Sequence, residues 1–86
     1  MPRYLTIQRT LVTPAERERF FARIKQKQEY YARAKCKFWV FEEADLPGAF
    51  LEFFEAPDAD TLARAHAGAP DPVLDANRIY SEVELT

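Results

Sequence analysis

The sequence is poor in the residues that build metal, disulfide and phosphate sites. It has one cysteine, Cys36, and one histidine, His66, which excludes an intramolecular disulfide and argues against a structural zinc site. Only two glycines are present, too few for a glycine-rich loop that cradles a nucleotide. The usual spacings of nucleophile and metal motifs are also missing. The sequence therefore predicts no metal and no cofactor, and it assigns no reaction.

Long hydrophobic runs are missing as well. No apolar stretch approaches the ~20 residues that cross a bilayer. The chain begins Met-Pro-Arg-Tyr, without the hydrophobic segment of a signal peptide. A single cysteine is typical of proteins in a reducing compartment. We therefore expect a cytoplasmic protein with no membrane partner.

Length and composition indicate one globular domain over residues 1–86. Apolar residues make up 48% of the chain and charged residues 30%, far from the composition of disordered proteins. A domain this short buries only roughly 60–65% of its unfolded surface, and oligomerisation is a common remedy. Ten of the twelve basic residues lie in residues 1–37. Most fall on one predicted helix, so a solvated helix face explains them better than an anionic partner.

Hydrophobic periodicity predicts the element order β-α-β-β-α-β. Thr13 and Asp58 are the predicted helix caps, and Pro47-Gly48 marks a hairpin turn. Strands and helices are expected over residues 3–9, 14–34, 36–43, 49–55, 59–67 and 78–85. Short connections favour a four-stranded antiparallel sheet with both helices on one face. The predicted class is an α+β, ferredoxin-like fold.

The predicted hairpin has two apolar faces. If the turn occupies residues 44–48, Trp39 faces Phe53 and Phe41 faces Leu51, and we expect this side to pack on the helices. The opposite side is also largely apolar, although a face in water should be polar. We expect a second copy of the chain to cover it through an isologous contact. The expected contact residues are Tyr4, Thr6, Phe38, Val40, Phe50 and Phe54.

Three polar residues, Glu52, His66 and Tyr80, are candidates for lining a ligand pocket. Glu52 lies among phenylalanines, where it is a candidate acid or base, or where it pairs with an arginine or across a dimer contact. His66 is either a ligand or base, or a residue that caps the second helix. Cys36 is either a reactive or a structural thiol. A cavity bordered by one of the three candidates would favour a binder or enzyme, and a closed core would favour a structural role.

The element order, the length and the two-faced hairpin resemble the dimeric α/β-barrel group, which includes the antibiotic-biosynthesis-type monooxygenases. The resemblance covers nearly the whole chain. It implies a homodimer whose two sheets form a barrel, with pockets between sheet and helices for a small, partly apolar or aromatic ligand. It also implies a cofactor-independent monooxygenase as the alternative function. Some members degrade haem with Asn, Trp and His. Trp39, His66 and Asn77 do not match that pattern, so no catalytic residue is carried over.

The RNA-recognition motif has the same element order and stacks bases on an open sheet. Residues 47–53 are similar to its third-strand motif, but the basic residue and the first aromatic residue are missing. Glu42, Glu52 and Glu82 on the predicted open face would repel phosphates. We therefore expect no nucleic-acid partner. The preferred hypothesis is a homodimer that binds a small, partly apolar molecule.

Overall fold

The computed structural model describes residues 2–85. Its elements are β1 (Tyr4–Leu11), a 3-10 turn (Pro14–Glu16), α1 (Arg17–Arg33), β2 (Lys37–Glu42), β3 (Ala49–Ala56), α2 (Ala59–Ala67) and β4 (Tyr80–Ser81). The four strands form one antiparallel sheet in the order β2-β3-β1-β4. The prediction of an α+β fold with four antiparallel strands and two helices is confirmed, and the arrangement is compatible with a ferredoxin-like fold.

The helix limits follow the chemistry of the caps. Asp58 accepts a hydrogen bond from the backbone N–H of Thr61 at 2.7 Å, and α2 begins directly after it, as predicted. At the first helix, Glu16 accepts from the Thr13 backbone N–H at 3.2 Å, which is half of a capping box. The Thr13 hydroxyl donates to the same carboxylate. The Glu16 backbone N–H donates to the Thr13 carbonyl oxygen at 3.0 Å, so the first turn is 3-10, and α1 begins three residues later than Pro14.

The last strand is shorter than the predicted range 78–85. Ser81 pairs with Tyr4, the first residue of β1, and the Glu82 N–H still donates to the Arg3 carbonyl oxygen at 2.8 Å. Residues after Glu82 run past the start of β1. Alternation of apolar and polar residues persists there, but a strand also needs a neighbouring strand to bond.

The register predicted for the hairpin is confirmed. Trp39 pairs with Phe53, and Phe41 pairs with Leu51. The turn depends on Gly48, whose φ of 94° is a conformation that favours glycine. A side chain at this position would also collide with the backbone that follows β1.

The helices cover the opposite face of the sheet from the one predicted. Phe20 and Tyr31 of α1 pack on Phe50 and Phe54 of β3, with ring centroids 4.6 and 4.8 Å apart. Phe54 is 0% exposed. The predicted dimer contact therefore lies on the helix-covered side within one chain. This correction applies to Tyr4, Thr6, Phe38, Val40, Phe50 and Phe54.

The helix-covered face differs from the predicted one because it contains polar residues. Thr6, Gln8 and Glu52 look unsuited to a helix-covered core, yet all three are buried. They are tolerated because side chains from the helices and strands supply their hydrogen bonds. The face with Trp39 and Phe41 is the one that the helices leave uncovered.

Candidate functional sites

A cleft of about 220 Å³ opens between the sheet and α1, and we call it the interlayer cleft. Strands β1 and β3 form its floor, α1 forms one wall, and the loop after α2 forms another. The lining combines charged, polar and apolar side chains: Gln8, Thr10, Phe20, Arg23, Ile24, Lys27, Glu52, Asp71, Pro72 and Leu74. Glu52, one of the three predicted pocket residues, therefore borders this cleft.

Glu52 is held by three side chains at the floor of the interlayer cleft. Lys27 Nζ donates to Oε1 at 2.7 Å. Gln8 Nε2 and Thr10 Oγ1 donate to Oε2 at 3.0 and 3.3 Å. The carboxylate is 0% exposed, so each of these bonds replaces one that water would make. The partner is a lysine of the same chain, rather than an arginine or a second subunit.

Strand register and helix periodicity bring this cluster together. Gln8 lies directly opposite Glu52 in the antiparallel pair of β1 and β3, and Thr10 is two residues further on the same face. Lys27 occupies a buried position on α1, four residues before Tyr31. The spacing Phe20, Ile24, Lys27, Tyr31 is that of a helix stripe facing the core. Lys27 is one of the basic residues of the predicted helix for which a solvated face is the expectation, and its spacing from these core residues is the signal that points to burial instead.

Gln8 also ties the loop wall of the cleft to the sheet. Its Oε1 accepts a hydrogen bond from the backbone N–H of Leu74 at 2.8 Å. The loop residues Asp71, Pro72 and Leu74 line the cleft beside it. One amide therefore orients the buried carboxylate and positions the loop above it.

His66 belongs to a second buried polar group on the same face of the sheet. Its Nδ1 lies 2.8 Å from the Tyr31 hydroxyl, and its Nε2 lies 2.9 Å from the Thr6 hydroxyl. Burial lowers the pKa of His66 below its ordinary value of 6.5. A neutral imidazole suits this position because one nitrogen donates and the other accepts. The structure therefore places His66 in the core and not in an exposed helix cap.

Tyr80, the third predicted pocket residue, lies on the uncovered side of the sheet. This open face carries a shallow groove of about 420 Å³. The groove is lined by Arg3, Leu5, Trp39, Phe41, Phe53, Glu55, Tyr80, Ser81 and Glu82. Glu52 and His66 lie on the other side of the sheet, so the three candidates do not form one site.

Ion pairs border the open face. Arg3 bridges Glu55 and Glu82, with N–O distances of 3.3 and 3.1 Å. Arg9 pairs with Glu43 at 3.0 Å. Pairs this exposed contribute little to stability. They leave the border of the open face without a large excess of one charge.

Cys36 is buried at the start of β2, and burial raises the pKa of its thiol. A raised pKa lowers the thiolate fraction and hence the reactivity. The structural alternative is the one that this environment supports.

No family model, curated protein or solved structure matches the chain. Within residues 2–85, neither helix has the length and apolar character needed to cross a membrane. The same part of the chain brings no three His, Cys, Asp or Glu side chains together as a metal site would.

The Lys27–Glu52 pair generates a stability prediction. Lys27→Met leaves the Glu52 carboxylate buried without its cation, so we expect the free energy of unfolding to fall by about 3–5 kcal/mol. The double variant Lys27→Met/Glu52→Gln removes both charges and should be clearly more stable than Lys27→Met. Urea unfolding measures both values. Lys25→Met, on the exposed side of α1, is the control and should change little. A double variant that is no more stable than Lys27→Met would contradict the pairing.

His66 generates a pH prediction. Its pKa is lower in the folded chain than in the unfolded chain, so the unfolded state binds more protons as pH falls below about 6.5. The free energy of unfolding should therefore be nearly constant around pH 7 and decrease between pH 6.5 and 5.5. Urea unfolding at these pH values measures the slope. His66→Gln removes the only histidine and should remove the slope, and an unchanged slope in this variant would contradict the assignment.

Proposed function

We propose that the protein binds a small, partly apolar molecule in the interlayer cleft and that it acts as a homodimer. The observation that carries this proposal is the fully buried Glu52 carboxylate and its Lys27 partner at the floor of an open cleft. Convergent polar groups beside apolar walls are the usual form of a ligand site. The volume of about 220 Å³ suits a molecule smaller than a typical drug.

Binding accounts for the cleft better than a structural role does. A buried ion pair is weak support for stability, because an apolar pair of similar volume is often as stable. Here the pair lies where a ligand can reach its lysine. Phe20, Ile24 and Leu74 add apolar surface beside it. Three side chains in the cleft already donate hydrogen bonds to Glu52, which fixes their positions before a ligand binds. We assign no catalytic step to any of these groups.

A second copy of the chain is the proposed cover for the open face. Trp39 and Phe41 are 40% and 58% exposed there, and they lie beside the groove with Phe53 and Tyr80. An apolar patch on a small domain marks a contact surface. Because the charges at the border are paired, the open faces of two copies can meet without a net repulsion. A cytoplasmic location remains part of the proposal.

Ligand binding is tested by titrating a library of small fragments into the labelled protein and recording amide NMR spectra. We expect shifts at cleft residues such as Thr10 and Ile24. Ile24→Trp should weaken binding at least about tenfold, because the larger side chain occupies the space that a ligand needs in a cleft of about 220 Å³. Lys25→Trp is the matched control on the exposed side of α1. Hits that map to the open face, or that bind Ile24→Trp equally well in a folded chain, would contradict the proposal.

Dimerisation is tested by light scattering on a sizing column over a dilution series. The wild-type chain should have twice the 10.0 kDa mass of one chain. Phe41→Lys should give a monomer, because it places a charge in the contact while Phe41 contributes little to the core of one chain. Leu74→Lys is the control, since Leu74 is 61% exposed on the helix side. A wild-type monomer at every concentration, or a Phe41→Lys dimer, would overturn this part of the proposal.

A further inference from the structure

Lys27 offers hydrogen-bond donors to the interlayer cleft that Glu52 does not use. An ammonium group has three N–H donors. Within residues 2–85, its single hydrogen-bond partner is Glu52 Oε1. The Lys27 side chain is 10% exposed, whereas that of Glu52 is 1% exposed. Of the two charged side chains at the floor, that of Lys27 is therefore the more accessible to a molecule in the cleft.

Arg23 adds a second cation to the same wall. It lies four residues before Lys27, so both side chains lie on one face of α1, and both line the cleft. Arg23 is exposed and forms no ion pair in the described part of the chain. Like charges at this spacing destabilise a helix. Glu52 offsets the charge of Lys27, whereas Arg23 is attracted by the exposed Glu16 without forming an ion pair with it and adds positive charge at the mouth.

The remaining acid of the cleft, Asp71, belongs to the loop wall. Within residues 2–85 it forms no ion pair with Arg23 or Lys27, which belong to α1. Positive charge therefore gathers on the α1 side of the cleft and negative charge on the loop side. A ligand with one anionic group would place it toward α1.

We propose that the ligand of the interlayer cleft is a small carboxylate. Its anionic group accepts hydrogen bonds from Lys27 at the floor and from Arg23 at the mouth. Its apolar part packs on Phe20, Ile24 and Leu74. A carboxylate matches both donors, since charge-assisted bonds to Lys and Arg are stronger than bonds to a neutral carbonyl. This inference rests on the proposed function and adds the charge of the ligand to it.

The test compares matched acids and amides on the full chain. Phenylacetate and phenylacetamide, benzoate and benzamide, and isovalerate and isovaleramide differ in charge at nearly constant shape. Affinities are measured by amide NMR titration at low and high salt. We expect each acid to bind at least about tenfold more tightly than its amide, and we expect this preference to shrink at high salt.

Arg23→Gln removes one positive charge from the cleft while changing its shape little. It should reduce the affinity for the acids severalfold, and it should leave the affinity for the amides unchanged. Arg19→Gln removes the same charge from an exposed position outside the cleft lining and should leave both unchanged. Because Arg23 and Arg19 are both exposed, neither variant should disturb folding.

The outcomes distinguish the inference from the proposed function. Acids and amides that bind the cleft equally, or an acid preference that Arg23→Gln leaves intact, would overturn the carboxylate inference and leave the cleft as a ligand site. Acids and amides that all fail to bind would overturn both. Acids whose binding shifts the amide resonances of the open face would also overturn the inference, because Lys27 and Arg23 do not lie there.

Discussion

The arrangement of the helix-covered core depends on a charge that the sheet cannot satisfy alone. Glu52 lies in the middle of β3, and its neighbours in the sheet supply only the neutral donors of Gln8 and Thr10. Lys27 brings the opposite charge from α1. A buried carboxylate without this cation would be costly, so α1 has to lie across β3 with Lys27 above Glu52. Rotation of α1 about its axis, or a slip along the sheet, would separate the two charges.

The two faces of the sheet differ in where their polar and aromatic side chains lie. The helix-covered side holds two polar groups, one around Glu52 and one around His66, among the aromatic rings. The uncovered side has an aromatic patch at its centre and ion pairs at its border. The polar groups of the core contribute less hydrophobic stabilisation than apolar residues would. A small domain built in this way benefits from further burial, which the proposed contact between two open faces would provide.

The order of the elements, the hairpin register and the cap of α2 could be predicted because they depend on local patterns. The choice of the buried face could not. Alternation separates the side chains of β2 and β3 into two sets, but both sets are largely apolar, and the deciding partners are on α1 and α2. Glu52 was identifiable as a charge in an apolar strand. Lys27 was not, because a lysine in a basic helix resembles its solvated neighbours until its spacing from Phe20 and Tyr31 is considered. The short β4 reflects where β1 begins, which is a property of the pairing and not of residues 82–85.

The position of the only tryptophan has an optical consequence. Trp39 lies on the open face, 40% exposed, and the sheet separates it from the interlayer cleft. The emission wavelength of an indole follows the polarity around it, so the intrinsic fluorescence of this chain reports whether the open face is wet. The lining of the interlayer cleft includes a phenylalanine but no indole, so its occupancy should leave that emission unchanged. The two faces of the sheet can therefore be observed separately in an unlabelled protein.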